Sequence, residues 1–225
     1  MHTFTIAIDG PAAAGKTTNS KAIAERLGIQ YIDTGAIYRT IGFAAIREEK
    51  ILLPADQSEI TQEWLDTLKI EIQNQDNEQR MILNEEDVSD FLRTERISMA
   101  ASDCSALSIV RKHLLKIQRD LAESKSSIME GRDIGTVVLP DATVKIFLTA
   151  SPESRTTRRL LQLGLPYSEY HSMLSSINQR DKQDMNRKEA PLRKAEDAIL
   201  IDSTNMTLQE VQDAIFSIVI SKIGI

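Results

Sequence analysis

The sequence predicts an α/β fold in which helices cover both faces of a mainly parallel sheet. Three observations predict it: short apolar runs typical of buried strands, helical stretches between most of them, and a glycine-rich loop directly after the first run. Strands of parallel sheets are buried on both faces, so they are apolar throughout. In such folds, ligands collect at the carboxyl ends of the strands.

Five apolar runs are predicted to be core strands, and the segments between most of them to be helical. The predicted strands cover residues 4–9, 30–33, 126–130, 144–149 and 198–202. The predicted helical stretches cover residues 16–28, 34–46, 94–123, 152–187 and 207–221.

One segment interrupts this alternation. Residues 68–73 and 80–84 alternate between apolar and polar side chains around a polar turn, which predicts a β-hairpin. Together with a helix-like segment before it, the hairpin predicts a small lobe at about residues 51–93, inserted into a single domain of 225 residues. The acidic patch from Glu85 to Asp87 is interpreted as a solvated turn.

Composition excludes several classes of protein. The chain is 41% hydrophobic, enough for one substantial core, and its net charge of −6 argues against general nucleic-acid binding. The amino terminus lacks a signal-peptide pattern, and no run approaches the ~20 apolar residues of a membrane helix. The single cysteine, Cys104, suits a reducing compartment. We expect a cytoplasmic monomer with no membrane or nucleic-acid partner.

The glycine-rich loop matches the pattern that binds nucleotide phosphates: Gly10, four residues, Gly15, Lys16 and Thr17. Its backbone N–H groups and the following helix would face the phosphates, and Lys16 would bridge the outer two. The hydroxyl of Thr17 or Thr18 would reach Mg²⁺ or a phosphate oxygen. The residues predicted to bind the nucleotide are Gly10, Pro11, Ala12, Ala13, Ala14, Gly15, Lys16, Thr17 and Thr18.

The loop indicates a nucleoside triphosphate but not what the protein does with it. The Asn-Lys-x-Asp and Asp-x-x-Gly strings of GTP switches are absent, and the strand ending at Asp202 lacks the paired acids of ATP-driven motors. A phosphoryl transferase needs a second anion site and cations that neutralise the moving group.

Candidates for that second site follow two predicted strands. Thr34 and Arg39 follow the second strand, and Arg132 and Asp133 follow the third. An isolated Arg-Asp pair is more often structural. Two arginines that leave strands beside a phosphate loop nevertheless favour an anion site.

Further arginines lie in a segment with a net charge of +5, residues 155–194, whereas the rest of the chain carries −11. This excess fits either a solvated helix face or a trap for small anions. An exposed ion-pair ladder would contribute only about a few tenths of a kcal/mol. The excess favours an arginine-rich lid at about residues 152–188 that closes and excludes water. The clusters are Arg155, Arg158 and Arg159, and Arg180, Asp184 and Arg187.

An ordered set of motifs then resembles the bacterial cytidylate kinases, which are phosphate-loop nucleoside monophosphate kinases. The motifs include "IDGPAAAGKTT", "YIDTGAIYR", "MAAS", "IVRKHLL", "QRDKQDMNRKEAPL" and "AILIDST". The block "GRDIGTVV…PDA…KIFLTAS" is the most specific. The resemblance extends over about residues 4–204 and includes the inserted hairpin lobe.

The resemblance implies phosphoryl transfer from ATP, with Mg²⁺, to CMP or dCMP. The candidate catalytic residues are Lys16, Arg132, Arg158 and Arg159, whose charges would act on the transferring group. The resemblance places Thr34, Arg39 and Arg132 around the acceptor phosphate, Ser102, Arg111 and Asp133 at the cytosine, and Arg180, Asp184 and Arg187 around the sugar, phosphate and base. Two alternatives stay open: a kinase for another small acceptor such as UMP or shikimate, and a non-catalytic nucleotide sensor.

Overall fold

A computed structural model describes residues 3–50, 57–75 and 78–224 of the chain. Within them, strands and helices alternate as predicted over most of the length. The strands are β1 (Thr5–Asp9), β2 (Gln30–Asp33), β3 (Ile70–Gln75), β4 (Glu78–Leu83), β5 (Glu86–Asp87), β6 (Ser127–Gly131), β7 (Val144–Thr149) and β8 (Ile199–Asp202). The helices are α1 (Lys16–Leu27), α2 (Thr34–Arg47), α3 (Gln62–Asp66), α4 (Glu95–Ala106), α5 (Ser108–Glu123), α6 (Pro152–Leu163), α7 (Tyr170–Asn186) and α8 (Leu208–Ile223).

The chain forms two compact units. The first comprises Met1–Tyr31 and Ala122–Ile225, and the second comprises Ile32–Leu121. The inserted lobe at about residues 51–93 stays a prediction, and its residues 51–56 and 76–77 lie outside the described residues.

The central sheet has the strand order β2-β6-β1-β7-β8. β1 is parallel to both of its neighbours, with Ile6 opposite Ile128 of β6 and Val144 of β7. These apolar side chains are buried, and helices α1 and α8 pack against the strands. The predicted parallel sheet flanked by helices is confirmed.

The carboxyl edge of this sheet brings two loops together. Asp9, the last residue of β1, lies opposite Gly131, the last residue of β6. The loop that starts at Gly10 and the segment that starts at Arg132 therefore leave the same edge. A Cβ atom on Gly10 would lie 1.9 Å from the carbonyl oxygen of Leu148, so only glycine fits there.

The second unit contains the predicted hairpin. β3 and β4 pair antiparallel with Ile70 opposite Leu83, which confirms it. The acidic patch is not only a solvated turn, because β5 pairs with β4 within it. Two of its carboxylates have cationic partners: Glu86 binds Arg47 at 2.6 Å, and Asp87 binds Arg80 at 2.8 Å.

Two predicted helical stretches are each interrupted. Leu107 has an extended backbone (ψ 119°) and separates α4 from α5. Gly164 adopts a left-handed conformation (φ +63°) that ends α6, and Pro166 follows before α7 begins. Apolar residues recur at helical spacing across both breaks. The sequence pattern therefore predicted one continuous helical stretch where the structure has two helices. No helix in the described ranges has the length and apolar character needed to cross a bilayer.

Helices α2 and α4 of the second unit approach closely at Gly42. A Cβ atom there would lie 2.9 Å from the backbone nitrogen of Ala101 and 3.1 Å from the Cβ of Ala100. Glycine in the middle of a helix is otherwise unfavourable, so this residue is explained by the close packing of α4.

Replacing Gly42 with alanine tests this packing. Helix propensity alone would stabilise the variant by ~1 kcal/mol, whereas overpacking typically destabilises by ~1–3 kcal/mol. Because the nearest atom belongs to the backbone of α4, we expect a net loss of about 1 kcal/mol or more in the free energy of unfolding. Urea denaturation measures it, and a gain in stability would contradict the packing account.

Candidate functional site

The loop between β1 and α1 has the backbone conformation of an anion cradle. Gly10, Ala13 and Gly15 have φ values of +153°, +58° and +90°. Gly15 occupies the N-cap position of α1 and no side chain caps the first turn. The N–H groups at this helix end therefore remain able to bind an anion, and the residues present fit a nucleotide phosphate.

Lys16 is folded back onto this loop. Its side chain is buried, and Nζ donates to the carbonyl oxygens of Gly10 (2.9 Å) and Pro11 (2.8 Å). Burial, assisted by the charge of Arg132, lowers the pKa of Lys16 to about 7, although Glu130 and Asp9 act in the opposite direction. The two carbonyl oxygens thus bind the Lys16 side chain, but they stabilise its positive charge only weakly. A bound anion would stabilise that charge further.

Asp9 is a buried carboxylate that sequence reasoning missed. It accepts hydrogen bonds from the backbone N–H groups of Ile134 (2.7 Å) and Gly135 (2.8 Å). Burial raises its pKa to about 6, against the effect of these hydrogen bonds. Asp9 therefore fixes the segment that follows Asp133, itself buried at the start of a π-helical turn. The sequence did hold one signal for this site: Asp9 is the last residue of a predicted strand and directly precedes Gly10.

Arg132 and Asp184 form an ion pair in which Asp184 is buried and 18% of the Arg132 side chain is exposed. Nε of Arg132 donates to Oδ2 of Asp184 at 2.8 Å, and Arg187 lies 3.8 Å from the other carboxylate oxygen. Burial works to raise the pKa of Asp184, but the charges of Arg132 and Arg187 outweigh it and hold that pKa below its usual value. Arg180 is half-buried and adds to the same positive field.

The arginines of α6 do not share one environment. Arg155 is buried within the protein, whereas Arg158 donates to the backbone oxygen (2.5 Å) and hydroxyl (2.9 Å) of Ser203. Arg159 donates to Gln162 at 2.9 Å. Arg158 and Arg159 are half-buried and lie on the segment predicted to be a lid.

In the second unit, Thr34 and Arg39 lie at the start of α2. Thr34 is its first residue and is buried, and Asp33 caps the helix by accepting from the N–H of Ala36 at 3.0 Å. Arg39, one turn later, donates to Asp33 at 2.7 Å. The capping carboxylate thereby orients the guanidinium at the helix end.

Ser102 and Arg111 are joined through Ser105. The hydroxyl of Ser105 donates to the carbonyl oxygen of Ser102 (2.8 Å), and Arg111 donates to the carbonyl oxygen of Ser105 (3.3 Å). Among the described residues, the buried hydroxyl of Ser102 has no hydrogen-bond partner. The guanidinium of Arg111 lies 5.7 Å from the ring centroid of Tyr38. The backbone of Ser102 and the guanidinium of Arg111 are therefore linked through Ser105, and both residues carry donors suited to a polar ring.

A carboxylate cage for a metal is absent from the part of the chain that the structure describes. In residues 3–50, 57–75 and 78–224, no group of three or more His, Cys, Asp and Glu side chains could hold an ion. Thr17 and Thr18 both lie exposed in the first turn of α1, so either hydroxyl remains available to an ion carried by phosphates.

The predicted site residues thus fall into two groups, each coherent within its own unit. The second unit contains four of the acceptor candidates, and the first contains the phosphate loop and the others. Those in the second unit are Thr34, Arg39, Ser102 and Arg111, and those in the first are Arg132, Asp133, Arg180, Asp184 and Arg187. A parallel α/β sheet with a glycine-rich loop, an uncapped helix end and a buried lysine defines a phosphate-loop nucleotide-binding protein.

Comparison with known proteins gives the family. The family model described as "Cytidylate kinase" matches residues 6–221. The chain is 48% identical to the cytidylate kinase of Caldicellulosiruptor saccharolyticus, over 100% of this chain and 99% of the relative. It is 46% identical to the cytidylate kinase of Thermosipho africanus, over 96% and 95%. The chain belongs to the cytidylate kinase family.

Solved structures agree at the level of the fold. A crystal structure of an uncharacterized protein from Eubacterium ventriosum superposes with a TM-score of 0.52 at 16% identity, covering 98% of this chain and 99% of that one.

The Arg132–Asp184 pair generates a stability prediction. Asp184→Ala leaves a largely buried guanidinium without its carboxylate, and breaking such a pair costs about 3 kcal/mol in the free energy of unfolding. The matched control is Asp213→Ala, which breaks the exposed pair with Arg26 and costs less than about 1 kcal/mol. Urea denaturation without nucleotide compares them. Equal losses in the two variants would contradict the importance of burial.

Proposed function

We propose that this protein transfers the γ-phosphoryl group of MgATP to CMP or dCMP, giving ADP and CDP or dCDP. The main support for this proposal is the similarity to cytidylate kinases, which covers nearly the whole chain and extends far beyond the phosphate loop. The bond between the γ-phosphorus and the bridging oxygen of ATP breaks. A bond from an oxygen of the acceptor phosphate to that phosphorus forms, so no water is consumed.

The loop Gly10 to Thr18 holds the ATP phosphates with its backbone N–H groups. On binding, Lys16 exchanges the carbonyl oxygens of Gly10 and Pro11 for phosphate oxygens, where its charge stabilises the transferring group. The hydroxyl of Thr17 or Thr18 would hold Mg²⁺, which would neutralise phosphate charge.

The acceptor phosphate is held by Thr34, Arg39 and Arg132. Guanidinium groups bind phosphate oxygens through paired hydrogen bonds, and the ion pairs of Arg39 with Asp33 and of Arg132 with Asp184 orient them in advance. Arg180, Asp184 and Arg187 act around the sugar, phosphate and base.

The cytosine ring is recognised through its polar edge. Its N4 amine donates to a carboxylate such as that of Asp133, whereas N3 and O2 accept from Ser102 and Arg111. The hydrogen bonds through Ser105, which join the backbone of Ser102 to the guanidinium of Arg111, support this assignment. Uracil presents O4 and a protonated N3 instead, so it fits this set poorly.

Catalysis then rests on positioning and charge neutralisation. The acceptor phosphate attacks as its dianion, so no general base is needed. Arg158 and Arg159, on the proposed lid, stabilise charge on the transferring group and help to exclude water.

An ADP-release assay with CMP, dCMP, UMP and AMP as acceptors tests the function. We expect strong ADP formation with CMP and dCMP only. Preference for UMP, or for shikimate added to the same panel, would assign another acceptor. ATP binding without ADP formation for every acceptor would indicate a sensor.

Asp133 generates a prediction about base choice. In Asp133→Ala, loss of a hydrogen bond to a charged group, ~1.5–3 kcal/mol, lowers kcat/KM for CMP by roughly 10- to 150-fold. Activity with UMP falls much less, because UMP lacks the amine. The CMP/UMP ratio therefore shrinks, as measured with both substrates after a melting curve has verified folding. If Asp133 only orients Arg132, both activities fall alike and the ratio is unchanged.

Lys16 generates a prediction about pH. Because its pKa in the free protein is about 7, most of these side chains are neutral at pH 8, and bound phosphates restore the charge. Binding of MgATP at pH 8 should therefore take up most of one proton, and affinity should weaken as pH rises above 7. Calorimetry in two buffers of different ionisation enthalpy measures the uptake, which should decline towards pH 6. No uptake at pH 8 would contradict the lowered pKa.

A further inference from the structure

The peptide groups of the phosphate loop are anchored at one residue, Ala12. Its N–H donates to Oδ1 of Asp181 at 3.0 Å, and its carbonyl oxygen accepts from Nη1 of Arg155 at 2.9 Å. Asp181 lies on α7 and Arg155 on α6, so side chains from both helices bind the backbone of a single loop residue.

Arg155 and Asp181 also bind each other. Nη1 of Arg155 lies 2.6 Å from Oδ2 of Asp181, and Nε of Arg155 donates to the carbonyl oxygen of Ala150 at 2.9 Å. Both side chains are buried, at 4% and 6% exposed. The carboxylate therefore uses one oxygen for the loop and one for the arginine, and neither group is left facing solvent.

The hydrogen bonds to Ala12 restrain the loop next to a residue with an unfavourable backbone conformation. Ala13, the next residue, is an alanine in the left-handed region (φ +58°), a conformation that side-chain-bearing residues adopt at an energetic cost. The N–H and the carbonyl group of Ala12 are both bound, by Asp181 of α7 and Arg155 of α6. The peptide between Ala12 and Ala13 therefore cannot rotate to relieve the conformation of Ala13 without breaking the hydrogen bond to Arg155. The N–H groups that follow then stay directed for phosphate binding.

We propose that Arg155 and Asp181 are positioning residues that hold the phosphate loop in its nucleotide-binding shape. Neither touches the reacting atoms; both act through the peptide groups of Ala12. The inference rests on the proposed function only in that the loop binds ATP. A purely structural ion pair between α6 and α7 would stabilise the fold without affecting ATP affinity.

The test compares ATP and CMP binding by calorimetry in the full-length chain. Asp181→Asn keeps the oxygen that faces Ala12 but removes the charge facing Arg155, and Asp181→Ala removes both contacts. We expect the Kd for ATP to rise about tenfold in the first variant and up to about a hundredfold in the second. The Kd for CMP should change less than about threefold, since the loop holds only the donor.

The matched control is Val219→Ala, a substitution in the buried core of α8, remote in sequence from the loop. It lowers the melting temperature but leaves the Kd for ATP unchanged, which separates loss of stability from loss of positioning. If Asp181→Ala fails to fold, the milder Asp181→Asn still decides. Hydrogen exchange at the Ala12 amide should also accelerate in that variant.

Binding of ATP within twofold of the unaltered protein in the Asp181 variants, with a lower melting temperature, would overturn the positioning role. Equal losses of ATP and CMP affinity would overturn it as well. Failure of the unaltered protein to bind ATP would reject the proposed function itself, and this role with it.

Discussion

Burial of positive charge beside the phosphate loop is the constraint on which the rest of the first unit depends. Lys16, Arg132 and Arg155 are all largely withdrawn from water, and a buried charge is strongly unfavourable unless it is paired. Arg132 and Arg155 have carboxylate partners at short distance. Among the described residues, Lys16 has only carbonyl oxygens and more distant carboxylates around it, so burial lowers its pKa instead.

This difference divides the cations by role. The two arginines are held in fixed orientations by Asp184 and Asp181. In the proposed function, they therefore act on the loop or on a phosphate without rearrangement. The charge of Lys16 is the least compensated of the three, so a bound phosphate would stabilise it most. Interactions that become stronger as charge develops are those that accelerate transfer. This is why we propose Lys16 as the main catalytic residue.

The sequence predicted much of the fold because its signals are local. The strands β1, β6 and β7, the loop at Gly10 and the β3–β4 hairpin follow from apolar runs, glycine spacing and alternation. The breaks at Leu107 and Gly164 were missed because apolar periodicity continues across them. Asp9 and Asp181 were missed for a different reason: which of 33 acidic residues is buried against a backbone N–H depends on tertiary contacts.

The central claim is that buried cations direct the phosphoryl group to a nucleotide and away from water. Incubation with MgATP and CMP, followed by anion-exchange separation of the products, measures this directly. The account predicts equal amounts of ADP and CDP, with inorganic phosphate no higher than in a protein-free control. ADP and inorganic phosphate in equal amounts, without CDP, would contradict it.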